Sequence, residues 1–330
     1  MKPNIAIIIL NWNGWEDTIE CLESLYQINY HNYEVIVVDN DSKDDSIEEI
    51  KKFCSNSNNT LKSERNIDIK MFEYEEKDFH HVNPYLESEK TIRNLILLKN
   101  SKNYGYAKGN NIGIRFALRV FNPDFILLLN NDTIADENFL NELTKAAENQ
   151  ERVGIYSPKL LNAYDHKIID STGHIISWGR IIDRGHGKID KHQFDKKINI
   201  MGAKGAGAFY KREMLESIGL LRESYITSYE DAELSWRASK NSWKAVYVPK
   251  SIIYHKGWRS IKKDNSKWFY FWGLSLKNTT STVKEYGTFY QKTIFSVFLI
   301  YFMIGSFLLR ITRIRNSGVN YAHLLKELYK

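Results

Sequence analysis

Carboxylates stand at three places in this sequence where they could take part in chemistry. The first is Asp39, which comes directly after the apolar run Val35–Val38. A carboxylate at a strand end can accept hydrogen bonds from the N–H groups of a nucleobase or from ribose hydroxyls. Together with Asn40, Asp41 and Ser42, it also suits an Asx-type turn and a helix cap. The motif alone does not decide between binding and capping.

The second place is Asp132, which follows a predicted apolar strand at Phe125–Leu129 and the pair Asn130-Asn131. No basic residue stands close to it in the sequence, so a divalent cation would supply the missing charge. Mg²⁺ and Mn²⁺ prefer oxygen ligands, commonly one or two carboxylates completed by diphosphate oxygens and water. The alternative is a second turn or helix cap that leads toward Glu137.

The third place is the pair Glu230-Asp231, at the start of a predicted helix. The positive end of the helix dipole stabilises acidic side chains there, and acidic first turns are common for stability alone. A run of small residues at Gly202–Ala208 favours a functional role, because such residues, Gly205 among them, let a substrate approach the backbone closely.

Two further sets are ambiguous by themselves. His255 follows a short predicted strand, Ala245–Val248, that Pro249 would end. It is either a metal ligand or a core histidine with its hydrogen bonds satisfied. Asn110 and Asn111 stand at the predicted start of a helix, where side-chain amides and free backbone N–H groups bind phosphate or sugar.

Length and composition exclude several classes of protein. The chain has 330 residues, 43% of them hydrophobic, which suits one large domain plus an appendage. Cys21 and Cys54 belong to no disulfide or zinc pattern, so we expect a reducing cytosol. The first residues lack a small-residue cleavage site, and we expect no secretory signal. The absence of a Gly-x-Gly-x-x-Gly, a Walker sequence and a nucleophile elbow disfavours dinucleotide oxidoreductases, P-loop enzymes and hydrolases with a Ser or Cys nucleophile.

The candidate residues need a scaffold that brings distant parts of the chain together. Apolar runs alternate with amphipathic segments, which predicts an α/β, doubly wound, mostly parallel sheet. Ligands of such sheets bind beyond the carboxyl ends of the strands, where Asp39 and Asp132 fall. The predicted strands are Ile5–Leu10, Tyr33–Val38, Leu95–Leu98, Phe125–Leu129, Gly154–Pro158 and Ala245–Val248. The predicted helices are Trp15–Ile28, Asp45–Phe53, Lys108–Val120, Glu137–Asn149, Lys211–Ile218 and Glu230–Ser239. Residues 55–90 lose periodicity and are interpreted as a surface insertion.

The C-terminal part of the chain is basic and aromatic. Residues 256–330 carry 13 Lys and Arg against 3 Asp and Glu, and Thr293–Leu309 is uncharged. This combination favours anionic lipid over nucleic acid as a partner. A short membrane span, an interfacial helix and a buried packing helix all fit a stretch of 17 residues. We expect the C-terminal region, 258–330, to associate with the membrane surface.

Six segments occur in a characteristic order: Ile7–Gly14, Val37–Ser42, Asn103–Gly113, Leu129–Thr133, Gly205–Ala208 and Tyr229–Arg237. Together they resemble inverting family-two glycosyltransferases of the GT-A fold, and most of all the bacterial rhamnosyltransferase-like branch. The resemblance covers about residues 4–257, and it implies a GT-A catalytic domain at 1–257.

The resemblance implies a nucleotide-sugar site at the ends of the first strands. Asp39 matches the carboxylate that holds the nucleobase, and Asn13 lies in the loop that lines the nucleotide pocket. The other residues that it implies for binding the nucleotide sugar are Asn11, Asn40, Asn110, Asn111, Asn131 and Gly205.

The resemblance also implies a metal site and a general base. Asp132 matches the last, metal-binding aspartate of the DxD motif, in which Asn130 here replaces the first. His255 matches a late histidine that completes the coordination of Mn²⁺ or Mg²⁺ in several relatives. Asp231 matches the general base, and Glu230 would position the acceptor or share its proton.

The implied reaction is a single displacement, with inversion, on a nucleotide-diphospho-sugar. The branch suggests dTDP-L-rhamnose as the donor, although UDP-hexoses fit the same motifs, and a lipid-linked or surface-polysaccharide precursor as the acceptor. The enzyme would act in the cytoplasm at the inner face of the cell membrane, and it could form an oligomer through its C-terminal helices. One alternative is a processive polysaccharide synthase, but neither several long spans nor a QxxRW-type sequence occurs. The other is a membrane-bound scaffold that binds no metal.

Overall fold

The protein is built from alternating strands and helices. A computed structural model describes residues 2–55, 68–79, 92–257 and 265–313. The strands are β1 (Ile5–Asn11), β2 (Tyr33–Asp39), β3 (Asp68–Glu75), β4 (Ile92–Lys99), β5 (Phe125–Asn130), β6 (Thr133–Ala135), β7 (Val153–Asn162), β8 (Ile169–Ser171), β9 (His174–Ser177), β10 (Arg180–Asp183), β11 (Asn199–Ile200), β12 (Gly207–Lys211) and β13 (Lys244–His255). The helices are α1 (Trp15–Leu25), α2 (Ser46–Ser55), α3 (Gly105–Val120), α4 (Phe139–Ala147), α5 (Arg212–Ile218), α6 (Glu230–Lys240), α7 (Asn265–Tyr286) and α8 (Phe289–Arg313).

One large sheet forms the centre of the described structure. Its strand order is β11-β13-β7-β12-β5-β1-β2-β4-β3, with β6 beside β13 and β8 beside β7. The strands from β5 to β3 in this order are parallel, whereas β12 runs antiparallel to both β5 and β7. Strands β9 and β10 form a separate hairpin. The predicted mostly parallel α/β sheet is confirmed. In the middle of the sheet, β12 runs in the opposite direction to its two neighbours.

Helices cover both faces of this sheet. Along β1, Ile5, Ile7 and Ile9 pack in a core with residues of α1, α2 and α4. Ala6 and Ile8 point the other way and pack with residues of α3, α5 and α6. A strand that is covered on both faces needs apolar side chains at successive positions, which explains its continuous apolar run.

Strand β13 is longer than the sequence predicts. The prediction that Pro249 ends it is wrong, because the strand continues to His255. A shift in its pairing with β7 falls between Val248 and Ile252, so the proline lies in a bulge. Proline has no N–H to donate, and a bulge is one of the few places in a sheet that do not need one. His255 is therefore the last residue of a strand.

Part of the segment interpreted as a surface insertion also forms a strand. Strand β3 pairs in parallel with β4 at the edge of the sheet, from Asp68 opposite Ile92 to Glu75 opposite Lys99. Its residues are all partly buried or exposed, so the strand has no fully buried face. The sequence therefore shows no clear alternation of apolar and polar residues along this strand. Residues 56–67 and 80–91 lie outside the described residues.

The C-terminal helices pack on the helix that begins with Glu230-Asp231. Val283 of α7 and Phe295 of α8 share a small core with Trp236 of α6. The opposite side of α8 exposes aromatic and apolar side chains; Tyr290 is 72% and Tyr301 is 78% exposed. In the described part of the chain, no helix has both the length and the apolar character that crossing a membrane requires.

Two helical glycines should respond in opposite ways to alanine. A Cβ at Gly113 in α3 would lie 2.6 Å from Cγ2 of Ile8 and 2.9 Å from Cγ2 of Val38, so Gly113→Ala should lower the free energy of unfolding. Overpacking of this kind costs about 1–3 kcal/mol. A Cβ at Gly273 in α7 would meet no atom within 4 Å, and Gly273→Ala should raise stability by about 0.5–1 kcal/mol.

Urea unfolding of the two variants and the wild type measures both effects. An unchanged or higher stability of Gly113→Ala would contradict the close approach of α3 to the sheet.

Candidate active site

Strand pairing brings His255 beside Asp132. Strand β13 runs antiparallel to β6, with His255 opposite Thr133. The end of β13 therefore lies next to the residue that precedes β6. His255 Nε2 is 3.3 Å from Asp132 Oδ1, and the N–H of Gly257 donates to Asp132 Oδ2 at 3.1 Å. The two residues that the sequence analysis assigned to a metal thus lie together.

The two groups shift each other's pKa. Burial by itself would raise the pKa of the Asp132 carboxyl, but the hydrogen bond and charge of His255 outweigh it, and the pKa is lowered. Burial by itself would lower the pKa of His255, but Asp132 and Asp170 raise it to about 9. The position between Asp132 and His255 is thus one that favours positive charge.

The donor atoms fit a divalent cation. Neighbouring ligands of an octahedral ion, each about 2.1 Å from the metal, lie about 3 Å apart, close to the separation of Asp132 Oδ1 and His255 Nε2. His255 Nδ1 is 2.9 Å from Asp170 Oδ2. A carboxylate in this position keeps a proton on Nδ1, so a cation that displaced the Nε2 proton would find the Nε2 lone pair facing Asp132. Asn130, at the first position of the DxD motif, instead accepts a hydrogen bond from the Tyr106 hydroxyl at 3.0 Å.

A second group of metal-ligating residue types already contacts a buried lysine. Asp190, His192 and Asp195 come together between β10 and β11. The Lys159 side chain is only 3% exposed, and its Nζ lies 2.9 Å from Asp190 Oδ2 and 3.0 Å from Asp195 Oδ1. This buried ammonium contacts both carboxylates and already offsets one of their two charges. Asp132, by contrast, lies just beyond the carboxyl end of β5, where ligands of such sheets bind, so the pair Asp132 and His255 is the stronger metal candidate.

Gly205 and Tyr106 connect the end of β5 to Asp231. Since β12 pairs antiparallel with β5, with Gly207 opposite Leu129, the run of small residues lies beside the strand that carries Asn130. The Gly205 N–H donates to Asp231 Oδ2 at 2.7 Å, and the Tyr106 hydroxyl is 3.1 Å from the Gly205 carbonyl oxygen. A Cβ at Gly205 would lie 2.8 Å from that hydroxyl oxygen. A side chain at this position would displace the Tyr106 hydroxyl, so glycine permits the close approach.

Glu230 and Asp231 have different surroundings. Glu230 is 5% exposed, and its Oε2 has no hydrogen-bond partner among the described residues. Burial first, and then the charge of Asp231, raise the pKa of the Glu230 carboxyl well above its ordinary value. The Asp231 side chain is 16% exposed. Asp231 is thus the more accessible of the two.

A strained loop precedes α6. Ile226, Ser228 and Tyr229 have φ angles of 59°, 72° and 74°, in a region that residues other than glycine rarely adopt. The side-chain amide of Asn278 in α7 lies 2.7–3.1 Å from three carbonyl oxygens of this loop, within residues 225–228. The C-terminal region therefore holds the loop that sets the start of the Asp231 helix.

Asp39, Asn11 and Asn13 belong to one polar cluster at the ends of β1 and β2. Asn11 Nδ2 donates to Asp39 Oδ1 at 2.8 Å, and the Ser42 N–H donates to Asp39 Oδ2 at 3.0 Å. Asn13 Oδ1 accepts from the Lys43 N–H at 2.7 Å. Asp39 is 1% exposed. The cluster ties the two strand ends together, as the turn interpretation expects, and each Asp39 oxygen can accept one more hydrogen bond.

Asn110 and Asn111 do not open a helix. That prediction is wrong, because α3 begins at Gly105 and places both residues in its second turn, where both are buried. Asn110 Nδ2 donates to the carbonyl of Tyr106 at 2.9 Å. Asn111 both donates to the carbonyl and accepts from the N–H of Leu221, at 2.8 and 3.1 Å. Both amides are thus engaged within the fold.

Asn40 and Asn131 also bind neighbouring loops. Asn40 Nδ2 donates to Asn103 Oδ1 at 2.9 Å, and its Oδ1 accepts from the Tyr104 N–H at 3.1 Å. Asn131 Nδ2 donates to the Gly14 carbonyl at 3.2 Å. Their contacts shape the loops around the strand ends.

Four charged residues that the sequence analysis did not single out lie between Asp132 and Asp231. Lys204 Nζ is 3.0 Å from Asp170 Oδ2 and 3.3 Å from Asp183 Oδ2. His174 Nε2 contacts both Asp183 and Asp231. Burial by itself would lower the pKa of Lys204, but the two aspartates raise it. The sequence carried one signal that could have singled out Lys204, which is the single charged residue in the small-residue run Gly202–Ala208.

Two family patterns match the sequence. Residues 88–272 match glycosyltransferase like family 2, and residues 6–72 match glycosyl transferase family 2. The chain is also 25% identical over 242 residues to the low-salt glycan biosynthesis hexosyltransferase Agl10 of Haloferax volcanii. That alignment covers 73% of this chain and 64% of Agl10, so the chain spans less than two thirds of this relative.

Solved structures share the fold at low sequence identity. The mannosyltransferase PcManGT from Pyrobaculum calidifontis, in complex with GDP-Man and Mn²⁺, superposes with a TM-score of 0.56 at 16% identity, over 87% of this chain and 66% of that one. S. aureus TarS 1-349 superposes with a TM-score of 0.51 at 14% identity, over 90% and 70% of the two chains. These likenesses show the GT-A fold. Because the match at residues 88–272 covers more than half of the chain and includes the Asp132 and Glu230-Asp231 motifs, the chain belongs to glycosyltransferase family 2.

Proposed function

We propose that the protein is a metal-dependent, inverting hexosyltransferase that moves a sugar from a nucleotide-diphospho-sugar onto an acceptor hydroxyl. The observation that carries the proposal is the contact of Asp132 with His255, 3.3 Å apart. Tyr106 and Gly205 link Asn130, which precedes Asp132 in the same motif, to Asp231. The names of the similar proteins support it, since Agl10 is a hexosyltransferase and PcManGT binds GDP-Man with Mn²⁺.

Asp132 and His255 are the residues that would hold Mn²⁺ or Mg²⁺. When bound, the ion supplies positive charge that stabilises the diphosphate leaving group. The buried Asp170 keeps the His255 ring oriented toward Asp132. Donor oxygens and water would complete the coordination.

Asp231 is the proposed general base. Its two oxygens accept backbone N–H groups from Gly205 and Ala232, each at 2.7 Å, which orients the carboxylate. Lone pairs remain to accept the proton of the acceptor hydroxyl. The acceptor oxygen then attacks C1 of the sugar from the face opposite the diphosphate, so the anomeric configuration inverts. The greater exposure of Asp231 is the reason to assign this role to it rather than to Glu230.

The donor and acceptor are proposed in terms of their chemistry. Asp39, held by Asn11, would accept hydrogen bonds from the nucleobase, since its oxygens retain acceptor capacity. The name of Agl10 favours a hexose and a glycan-building reaction. A lipid-linked or surface-glycan precursor is the proposed acceptor, and dTDP-L-rhamnose belongs in the same donor screen as the UDP- and GDP-hexoses.

The outer face of α8 is the proposed contact with the membrane surface. Val297, Ile300, Tyr301 and Ile304 are each at least half exposed. Aromatic and aliphatic side chains of this kind bury in the interface of a bilayer, and nearby Lys and Arg add attraction to anionic lipid. The helix would then lie along the inner face of the cell membrane and bring the catalytic domain to a lipid-linked acceptor.

Substitution of the two central aspartates should separate metal binding from transfer. Asp132→Asn should weaken Mn²⁺ binding, because the carboxylate that faces His255 is lost. Asp231→Asn should bind Mn²⁺ and donor as the wild type does but lose about 10²–10⁴-fold in kcat, since the general base is absent. Calorimetry with Mn²⁺ and a donor screen that measures transfer to added glycan acceptors test both.

Asp190→Asn is the matched control for this pair, because it removes a carboxylate from the other metal-type cluster. It should leave both Mn²⁺ binding and transfer near their wild-type values. Loss of Mn²⁺ binding in Asp190→Asn but not in Asp132→Asn would show that the metal binds at that cluster instead of at Asp132. Full transfer by Asp231→Asn would eliminate the proposed base.

Glu230→Gln should make stability less dependent on pH. The pKa of the folded-state Glu230 carboxyl is raised above its ordinary 4.5, so the folded protein binds more protons than the unfolded chain. The free energy of unfolding therefore falls as pH rises above that value. A glutamine cannot ionise, so the stability of the variant relative to the wild type should increase from pH 5 to pH 8.

Urea unfolding at a series of pH values measures this difference, and Glu216→Gln on the exposed side of α5 is the control. If the curves for Glu230→Gln and the wild type run parallel, the raised pKa is refuted.

Polar residues on the outer face of α8 should release the protein from lipid. The triple variant Ile300→Ser, Tyr301→Ser, Ile304→Ser should bind vesicles of anionic phospholipid at least about tenfold more weakly than the wild type, because each exposed apolar side chain contributes about 1 kcal/mol or more when it is buried. Donor binding should persist, since Phe295 still packs against Trp236. Co-sedimentation with vesicles measures the effect.

The matched control replaces Ile189 and Ile198, which are similarly exposed but lie elsewhere, with serine. Equal vesicle binding by the triple variant and the wild type would refute the proposal that the outer face of α8 contacts the membrane. Sedimentation velocity would show whether the same face instead joins two copies of the chain.

A further inference from the structure

A second aspartate lies behind the candidate metal ligands Asp132 and His255. His255 contacts Asp132 through Nε2 at 3.3 Å and Asp170 through Nδ1 at 2.9 Å. Asp170 does not reach the position between Asp132 and His255 itself, but it determines which ring nitrogen faces Asp132. Its place follows from the sheet, because β8 pairs with β7 and β7 pairs with β13.

Asp231, the base candidate, also lies beside a histidine and an outer aspartate, but in a different geometry. His174 Nε2 is 3.5 Å from Asp183 Oδ1 and 3.9 Å from Asp231 Oδ2. His174 is buried, and its Nδ1 lies 3.5 Å from the Ser235 hydroxyl. Asp183 and Asp231 both approach Nε2 of His174, so Asp183 fixes the position of the ring beside Asp231. In the metal candidate, by contrast, Asp170 and Asp132 contact opposite nitrogens of His255. Asp132 and Asp231 are the two aspartates proposed to take part in the reaction. Asp170 and Asp183 lie behind the histidines and are called the outer aspartates.

Lys204 joins the two outer aspartates. Its Nζ is 3.0 Å from Asp170 and 3.3 Å from Asp183. Asp170 and Asp183 repel each other inside the protein, and the ammonium that contacts both offsets this repulsion. His186 also contacts Asp170, at 3.4 Å, but lies on its exposed side. Lys204 also directly precedes Gly205, whose N–H donates to Asp231. Moving the lysine would thus affect both halves of the site.

We propose that Lys204 is a positioning residue shared by the metal half of the site, Asp132 and His255, and the base half, Asp231 and His174. This shared support is called the coupling below. By pairing with Asp170 and Asp183 at once, it holds His255 against Asp132 and His174 against Asp231. Lys204 itself touches neither donor nor acceptor in this role. The inference rests on the function proposed above for Asp132, His255 and Asp231, and assigns tasks to residues that lie behind them.

Separate substitution of the two outer aspartates tests the proposal. Asp170→Ala should weaken Mn²⁺ binding by about 10–100-fold, while kcat at saturating Mn²⁺ stays close to that of the wild type. Asp183→Ala should leave the Mn²⁺ affinity unchanged and lower kcat by about tenfold or more, because a small displacement of the base is costly. Lys204→Met should change both quantities. Calorimetry with Mn²⁺ alone and steady-state transfer at saturating Mn²⁺ provide the two readouts.

Two further variants distinguish positioning from general destabilisation. Asp170→Asn keeps an oxygen that can accept the Nδ1–H of His255, and it should recover part of the Mn²⁺ affinity lost in Asp170→Ala. Asp190→Ala removes a carboxylate from another buried lysine, Lys159, and should lower the thermal unfolding midpoint without affecting Mn²⁺ affinity or kcat. If Lys204→Met does not fold, the two outer aspartate variants decide the question.

Equal loss of Mn²⁺ affinity and kcat in Asp170→Ala and Asp183→Ala would overturn the coupling, as would wild-type behaviour of both. Asp132→Ala separates this failure from failure of the proposed function. If Asp132→Ala abolishes Mn²⁺ binding and Asp170→Ala leaves it intact, only the coupling is refuted. If the wild type binds no Mn²⁺, or Asp132→Ala binds it normally, the proposed metal site and the coupling are refuted together.

Discussion

Repulsion between carboxylates is the constraint on which this site depends. Two like charges 4 Å apart repel by about 4 kcal/mol near a protein surface, and five acidic side chains gather at this end of the sheet: Asp132, Asp170, Asp183, Glu230 and Asp231. Lys204, His174 and His255 stand between the aspartates and separate them. Glu230 has no hydrogen-bond partner for its Oε2 among the described residues and responds instead with a raised pKa. The arrangement of cations therefore decides which carboxylates remain charged and where they point.

The C-terminal helices contribute to this arrangement. Asn278 of α7 binds three carbonyl oxygens of the loop before α6, where three residues have positive φ angles. Strain of that kind persists only where surrounding contacts hold it. Phe295 of α8 packs against Trp236 in the helix that begins with Glu230-Asp231. A surface of α8 in contact with lipid and a base at the start of α6 would thus belong to one packed unit.

Much of the fold follows from local patterns. Strands β1, β2 and β5 were predicted within one residue, because central parallel strands need continuous apolar runs and few other segments have them. Local rules failed for two of the strands. Pro249 does not end β13, since a bulge accommodates it, and β3 has no clear alternation because it lies at the edge of the sheet. In both cases pairing with a neighbouring strand decided the outcome, and that pairing cannot be deduced from the segment alone.

The sequence by itself determined the chemistry that is present: carboxylates at strand ends, an acidic helix start, a late histidine and small residues where the backbone comes close. Only the tertiary structure decided which of these meet. The antiparallel register of β13 with β6 places His255 beside Asp132, and that of β12 with β5 places Gly205 beside Tyr106 and Asp231. Asp170, Asp183 and His174 come together around Lys204 only in the folded protein, and their proposed positioning roles depend on that contact. The reason is physical: local periodicity reports which face of a strand is buried, whereas the choice of partner strand depends on packing across the whole sheet.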